Sequence, residues 1–137
     1  MKIRTIAAAI LILAPGVCLG ASSFDGSWTV SQSCPPTAQD VRGYSWTYAA
    51  VVRNGMLVGE HRPTSAQDGS GRLTGRIRPD GEAMLTADGR TGNPEFAVGH
   101  VAQGFHYHYR VAARFTDSSG SGQRTEQRSC DFSFTKN

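Results

Sequence analysis

The sequence predicts an all-β protein that folds as a single antiparallel barrel of about eight strands, with one disulfide. Glycine is frequent, with 16 among 137 residues, and the runs between turn signals alternate apolar and polar side chains, as half-buried strands do. Beyond an N-terminal leader, no stretch has helical periodicity of useful length. A closed barrel also removes the exposed strand edges that invite aggregation.

The expected strands follow in order along the chain. Trp28 and Val30 mark the first inner face, and the last strand ends in Phe132 and Phe134. Between them we expect strands at residues 44–52 and 56–61, joined by an Asn54-Gly55 hairpin, and strands around Leu73 to Ile77 and Ala83 to Ala87. A loop at 88–94 should follow, and then the alternating pair Phe96 and Val98. A long strand at 105–115 and a Ser/Gly turn at 118–122 should lead to the last strand.

Residues 1–20 have the features of a secretory signal peptide. Lys2 and Arg4 precede an apolar run that Pro15 ends, and small residues lie near Gly20. The run is too short to span a bilayer as a stable helix. We therefore expect one domain, residues 21–137, in the periplasm or secreted. A lipid anchor on Cys18 is the alternative, but we expect that cysteine to leave with the signal.

The leader also distorts the charge of the chain. Lys2 and Arg4 are two of the 14 basic residues, so the chain without them has 12 basic and 11 acidic side chains. This near balance argues against nucleic acid or an anionic membrane as a partner.

Two cysteines, Cys34 and Cys130, remain after removal of the leader. An even pair in an exported chain favours one disulfide, with metal ligation or free thiols as alternatives. If the first and last strands are antiparallel neighbours with these residues opposite, Val30 faces Phe134 and Trp28 faces Lys136. The bond would then join the two strands that close the barrel.

Gly26-Ser27-Trp28, with Lys136 opposite at the chain end, resembles the signature of the lipocalin and avidin superfamily of small ligand-binding barrels, the calycins. The resemblance implies that a basic side chain packs the tryptophan, that the barrel is closed at the Trp28 end, and that it is open at the Cys34 end. The chain also resembles bacterial periplasmic metalloprotease inhibitors, although the cysteine partner here is distant, and it looks similar to uncharacterised secreted proteins of proteobacteria.

The strand GFHYHYR carries two histidines, His106 and His108, in alternate positions. The odd residues from Phe105 to Phe115 are apolar or aromatic, so we expect the histidines to point outward. A zinc site needs further ligands, and Arg110 shares the outer face. We therefore expect a solvated strand face and no metal, with weak metal binding as the alternative.

Five aromatic residues fall on expected inner faces, and buried phenols need hydroxyl partners. An eight-stranded barrel either fills with side chains or holds one small ligand. The aromatic residues are therefore either a packed core or the lining of a ligand site, and as ligand-binding candidates they are Tyr44, Trp46, Tyr48, Tyr107 and Tyr109.

The last strand presents a conflict. If Cys130 and Phe132 point inward, unbroken alternation also places Arg124, Glu126 and Arg128 inside, which is costly for unpaired charges. Either a bulge near Ser129 swaps the faces, or the charges line the open mouth. In the second case Arg124 and Arg128, with Arg62, suit an anionic ligand.

The sequence favours an exported, non-enzymatic binding protein that holds a small molecule in an aromatic-lined barrel mouth. It carries no specific cofactor motif, so we expect no cofactor, and an enzyme would need His61, His100 and His106 to converge with an acid. The alternative is a secreted inhibitor, with a protease as protein partner, acting through residues 21–25 or the loop at 88–95.

Overall fold

The computed structural model describes residues 22–137, in which eight antiparallel strands form one closed barrel. The strands are β1 (Gly26–Cys34), β2 (Tyr44–Arg53), β3 (Met56–His61), β4 (Ser70–Arg76), β5 (Glu82–Arg90), β6 (His106–Phe115), β7 (Ser119–Arg124) and β8 (Cys130–Lys136). Each strand pairs with the next along the chain, and β8 returns to β1. The predicted all-β barrel is confirmed. The predicted signal peptide, with Cys18, lies outside the described residues.

The pairing of β1 with β8 has the predicted register, with Trp28 opposite Lys136 and Val30 opposite Phe134. Cys34 and Cys130 form a disulfide at the end of this pairing, and their Cα atoms lie 4.2 Å apart. Both cysteines are buried. The predicted bond between the first and last strands is therefore confirmed.

Inward side chains fill the half of the barrel that contains Trp28. The Trp28 ring meets Phe115 edge-on at 5.6 Å, and Phe115 packs on Phe134 at 4.6 Å. Buried aliphatic residues from the middle strands complete this packed half: Val52, Leu57, Leu73, Leu85 and Val111. Their alternation with exposed residues explains why these sequences form strands with one face in the core.

The segment before β1 covers the Trp28 end. Phe24 is buried, and its carbonyl accepts a hydrogen bond from Trp28 Nε1 at 2.8 Å. Lys136 lies opposite Trp28, but its side chain runs over Gly26, where a Cβ would lie 2.9 Å from Lys136 Cε. Lys136 Nζ donates to the Ser23 carbonyl at 3.2 Å. The lysine therefore ties the entering chain to the end of β8.

Three predicted segments, a turn, a short strand and a loop, differ from the structure. The expected turn at residues 118–122 is mostly strand β7, whose glycines permit close packing: a Cβ on Gly122 would lie 3.1 Å from Ala113 Cβ. Phe96 and Val98 lie in two short 3-10 turns, Pro94–Phe96 and Val98–His100, rather than in a strand. The 88–94 loop begins late, because β5 continues to Arg90.

Phe105 was also misplaced. Its predicted inner position is wrong, because β6 begins one residue later, at His106, and the Phe105 side chain is 58% exposed. The rest of the strand has the predicted parity: Tyr109, Val111 and Phe115 are buried. Among residues 22–137, no helix has the length and apolar character to cross a bilayer.

The conflict on the last strand has a different solution from a bulge. The strand is interrupted: β7 ends at Arg124, and β8 begins at Cys130, which pairs with Arg124. The connecting turn includes Gln127 at a positive φ of 66°. Arg124 and Arg128 are buried at the Cys34 end, whereas Glu126 is exposed. Of the two alternatives, the bulge is not found in the described part of the chain, and the position at the open mouth describes both arginines but not Glu126.

Candidate functional site

The Cys34 end of the barrel contains a cavity of about 810 Å³. It is lined by the ends of β2 and β6, by the turn between β7 and β8 and by the connections that follow β3 and β5. Outward residues at the strand ends border it as well: Ser45, Thr47, His106 and His108. This volume is in the range of small-molecule sites. The barrel is thus packed at the Trp28 end and has a cavity at its Cys34 end, beside buried or half-buried aromatic residues.

Aromatic rings from two strands form most of the inner wall. On β2, Tyr44 and Trp46 lie with ring centres 5.0 Å apart. On β6, Tyr107 stacks on Tyr109 with ring centres 5.7 Å apart. All four line the cavity. Tyr48, the fifth candidate, lies deeper and is not part of the lining.

Gln32 holds two of these phenols in place and was missed by the sequence reasoning. Its side chain is buried, and Nε2 donates to Tyr109 Oη at 3.1 Å and to Tyr44 Oη at 3.3 Å. The signal for it was present, because Gln32 lies between Val30 and Cys34 on the inner parity of β1. Buried polar side chains of this kind are fixed by their hydrogen bonds.

The phenols of the barrel remain neutral far above physiological pH. Burial raises the pKa of Tyr109 to about 12, and it raises the pKa values of Tyr44, Tyr48 and Tyr107 as well. Burial disfavours the charged phenolate, which is the physical cause. The cavity wall therefore presents hydroxyl groups rather than negative charges.

Arg124 lies with its guanidinium 3.7 Å from the centre of the Tyr109 ring. Nε donates to the Glu126 carbonyl at 2.9 Å, and Nη2 donates to Gln127 Oε1 at 2.8 Å. The residue is 6% exposed and lines the cavity. Its charge is held by a ring face and neutral oxygens, which is a cation–π arrangement.

Arg128 has a different environment. Nη2 donates to the Pro35 carbonyl at 2.7 Å and more weakly to the carbonyls of Cys34 and Arg42, and Nη1 donates to the Phe96 carbonyl at 3.1 Å. Its Nε is buried without a partner. Burial lowers the pKa of this guanidinium. Arg128 thus joins the connection between β1 and β2, and the connection that follows β5, to the turn that carries it.

A histidine–carboxylate pair, His61 with Asp68, also lines the cavity, and the sequence reasoning did not predict this pairing. His61 Nε2 and Asp68 Oδ2 are 3.0 Å apart, and the His61 ring stacks on Trp46 at 4.0 Å. Burial opposes ionisation of Asp68, but hydrogen bonds from Thr64 and His61 outweigh it, so the pKa of Asp68 is lowered. His61 shares inner parity with Leu57 on β3, whereas Asp68 belongs to a loop.

The two histidines of GFHYHYR are outward-facing, as predicted, with side chains 56% and 58% exposed. Strand pairing brings Asp88 between them, at 3.4 Å from His106 and 3.0 Å from His108. Within residues 22–137, no group of three metal-ligating side chains is arranged to hold an ion. Arg62, expected with the anion-binding arginines, is 83% exposed and does not line the cavity.

The two segments considered for protease inhibition are held against the barrel. Near the N-terminus, Phe24 is buried, and Asp25 accepts hydrogen bonds from the backbone of Asn54 and Gly55. In the loop after β5, the Asn93 backbone N–H donates to the Gln67 carbonyl, and Glu95 pairs with Arg42 at 3.1 Å. Neither segment projects as a free strand within the described residues.

Comparisons of the chain with protein-family models, with curated proteins and with solved structures found no match. The closed antiparallel barrel of eight strands is compatible with a calycin-like fold. The function has to be inferred from the cavity itself.

Proposed function

We propose that the protein is an exported, non-enzymatic binding protein that takes a small molecule into the aromatic-lined mouth of the barrel. The observation that carries this proposal is the cavity of about 810 Å³ at the Cys34 end of the barrel, beside a packed Trp28 half. Packing alone would favour a filled interior, since protein cores are close-packed. A cavity of this size with a few fixed polar groups is typical of a ligand site.

Three further features support the proposal. The aromatic rings offer flat apolar surface, and Gln32 fixes two of the phenols. The resemblance of Gly26, Trp28 and Lys136 to the calycin pattern implies ligand binding at the open end. The buried disulfide between Cys34 and Cys130 is compatible with export to the periplasm or the exterior.

Protease inhibition is a second hypothesis that gains no support from the segments it requires. An inhibitory loop needs exposed backbone that can enter a protease cleft. The residues after β5 are instead bonded to the rim, and Phe24 is buried.

Native mass spectrometry of the protein taken from its own export compartment tests the proposal, with the same sample denatured for comparison. We expect a mass excess in the native state alone. The fraction of protein that carries this excess mass should decrease for Trp46→Ala, which removes part of the cavity wall. It should be unchanged for Val51→Ala, which alters the exposed outer face of the same strand. A native wild-type mass equal to the denatured mass would contradict the proposal.

A further inference from the structure

The charges around the cavity are unbalanced. Three arginines line it, Arg90, Arg124 and Arg128, against a single carboxylate, Asp68. Asp68 is already engaged by His61 and by the Thr64 backbone and hydroxyl. The cavity therefore has an excess of positive charge that its own residues do not neutralise.

The arginines that form salt bridges in this protein are exposed, whereas the two buried arginines form none among the described residues. Five exposed arginines pair with carboxylates, as Arg42 does with Glu95 and Arg78 does with Glu82. Among residues 22–137, the salt bridges include neither of the buried arginines, Arg124 and Arg128. A buried charge is costly unless it is paired, so this arrangement requires a reason.

The nearest acid in sequence is turned away from Arg124. Glu126 is two residues distant, yet its carboxylate binds Arg110 on the outer surface at 3.1 Å. Only its backbone carbonyl accepts from Arg124 Nε. The geometry of the turn thus keeps a carboxylate from the cavity side of Arg124.

The free donor of Arg124 is accessible, whereas the free donor of Arg128, its Nε, is buried. Arg124 donates hydrogen bonds through Nε and Nη2, and its Nη1 makes no hydrogen bond to the described residues. The only buried side-chain nitrogen or oxygen without a partner in residues 22–137 is Arg128 Nε, so Arg124 Nη1 is accessible. Since Arg124 lines the cavity, a guanidinium edge is available to a ligand.

We propose that Arg124 binds an anionic group of the ligand, and that the Gln127 side chain holds that position in the free protein. Gln127 Oε1 accepts from Arg124 Nη2, as a carboxylate or sulfonate oxygen would. Gln127 is exposed on a turn, so it can move aside. This inference rests on the proposed function. The ligand class is an organic anion with a flat apolar body, which lies along Trp46, Tyr107 and Tyr109.

Two fluorescent probes that differ in one group test the proposal: anilinonaphthalene sulfonate and its uncharged parent, N-phenylnaphthylamine. We expect Arg124→Gln to weaken binding of the sulfonate about tenfold to a hundredfold, as for the loss of a hydrogen bond between charged groups, and to change binding of the parent less than about twofold. Arg72→Gln removes the same charge from the exposed outer face of β4 and should change neither affinity.

Gln127→Glu provides an independent variant at an exposed position, which protects the test if Arg124→Gln does not fold. Its carboxylate should pair with Arg124 and weaken binding of the sulfonate probe by a similar factor. Binding of the uncharged parent should be unaffected. Equal effects on both probes, or no effect on the sulfonate, would overturn the proposal for Arg124. If neither probe binds wild-type protein with one saturable site, the proposed function fails, and this inference fails with it.

Discussion

The disulfide between Cys34 and Cys130 allows a quantitative test of how the barrel is closed. It joins β1 to β8 across a sequence separation of 96 residues. Reduction removes the cross-link while keeping both buried sulfur atoms in place. The pairing of β1 with β8 then depends only on its hydrogen bonds and on side-chain packing such as that of Phe134.

The expected magnitude follows from loop entropy. A cross-link that closes a loop of about 97 residues lowers the entropy of the unfolded chain by an amount worth about 4.7 kcal/mol at room temperature. A domain of this size has a total unfolding free energy of roughly 5–15 kcal/mol. Reduction should therefore remove a large fraction of the stability, although the native contacts are unchanged.

Equilibrium unfolding in urea, followed by tryptophan fluorescence, measures this loss with and without a phosphine reductant. We expect a decrease of about 4–5 kcal/mol in the unfolding free energy, and a larger denaturant dependence because the reduced unfolded chain is more expanded. The Cys34→Ala/Cys130→Ala variant is the control, since reductant should not affect its unfolding. A loss below about 1.5 kcal/mol would refute the entropic account of barrel closure.

Two other predictions concern the Cys34 half of the barrel. All four tyrosines have raised pKa values, about 12 for Tyr109. Because the phenols of the unfolded chain ionise near pH 10, the unfolding free energy should be unchanged below that pH and should fall as the pH rises toward 12. Tyrosinate absorbance should therefore appear together with the loss of native circular dichroism, and a separate transition near pH 10 in folded protein would contradict this. Arg128→Gln should lower the unfolding free energy by roughly 2–3 kcal/mol, because it removes hydrogen bonds from a charged donor to rim carbonyls. Arg62→Gln, at an 83% exposed position, should change it by less than about 0.5 kcal/mol, and similar urea midpoints for the two variants would show that Arg128 does not hold the rim.

The barrel was predictable because its main determinants are local and periodic. Alternation assigned Leu73, Leu85 and Val111 to the core, and the inward parity of two cysteines near the chain ends set the register of β1 with β8. Strand β7 was not predicted, because serine and glycine in alternate positions are also typical of turns. Its glycines are required by neighbours in space, since a Cβ on Gly120 would lie 2.8 Å from the Phe115 ring.

The candidate site was predictable only in part. Strand parity placed Tyr44, Trp46, Tyr107 and Tyr109 on inner faces, and all four line the cavity. The same parity would have found Gln32, which was overlooked. The loop residues that complete the site could not be placed from their spacing, because the position of a loop side chain depends on packing rather than on periodicity.

The sequence by itself determined the fold class, the pairing of the first strand with the last, the closing disulfide and the direction of most side chains, because each depends on residue types repeated at short intervals or on a pair of cysteines. Only the tertiary structure decided that a cavity lies at the Cys34 end of the barrel, that Glu126 turns outward to Arg110, and that Arg124 keeps an accessible donor. These properties arise from the volumes and charges of residues that meet only when the barrel closes.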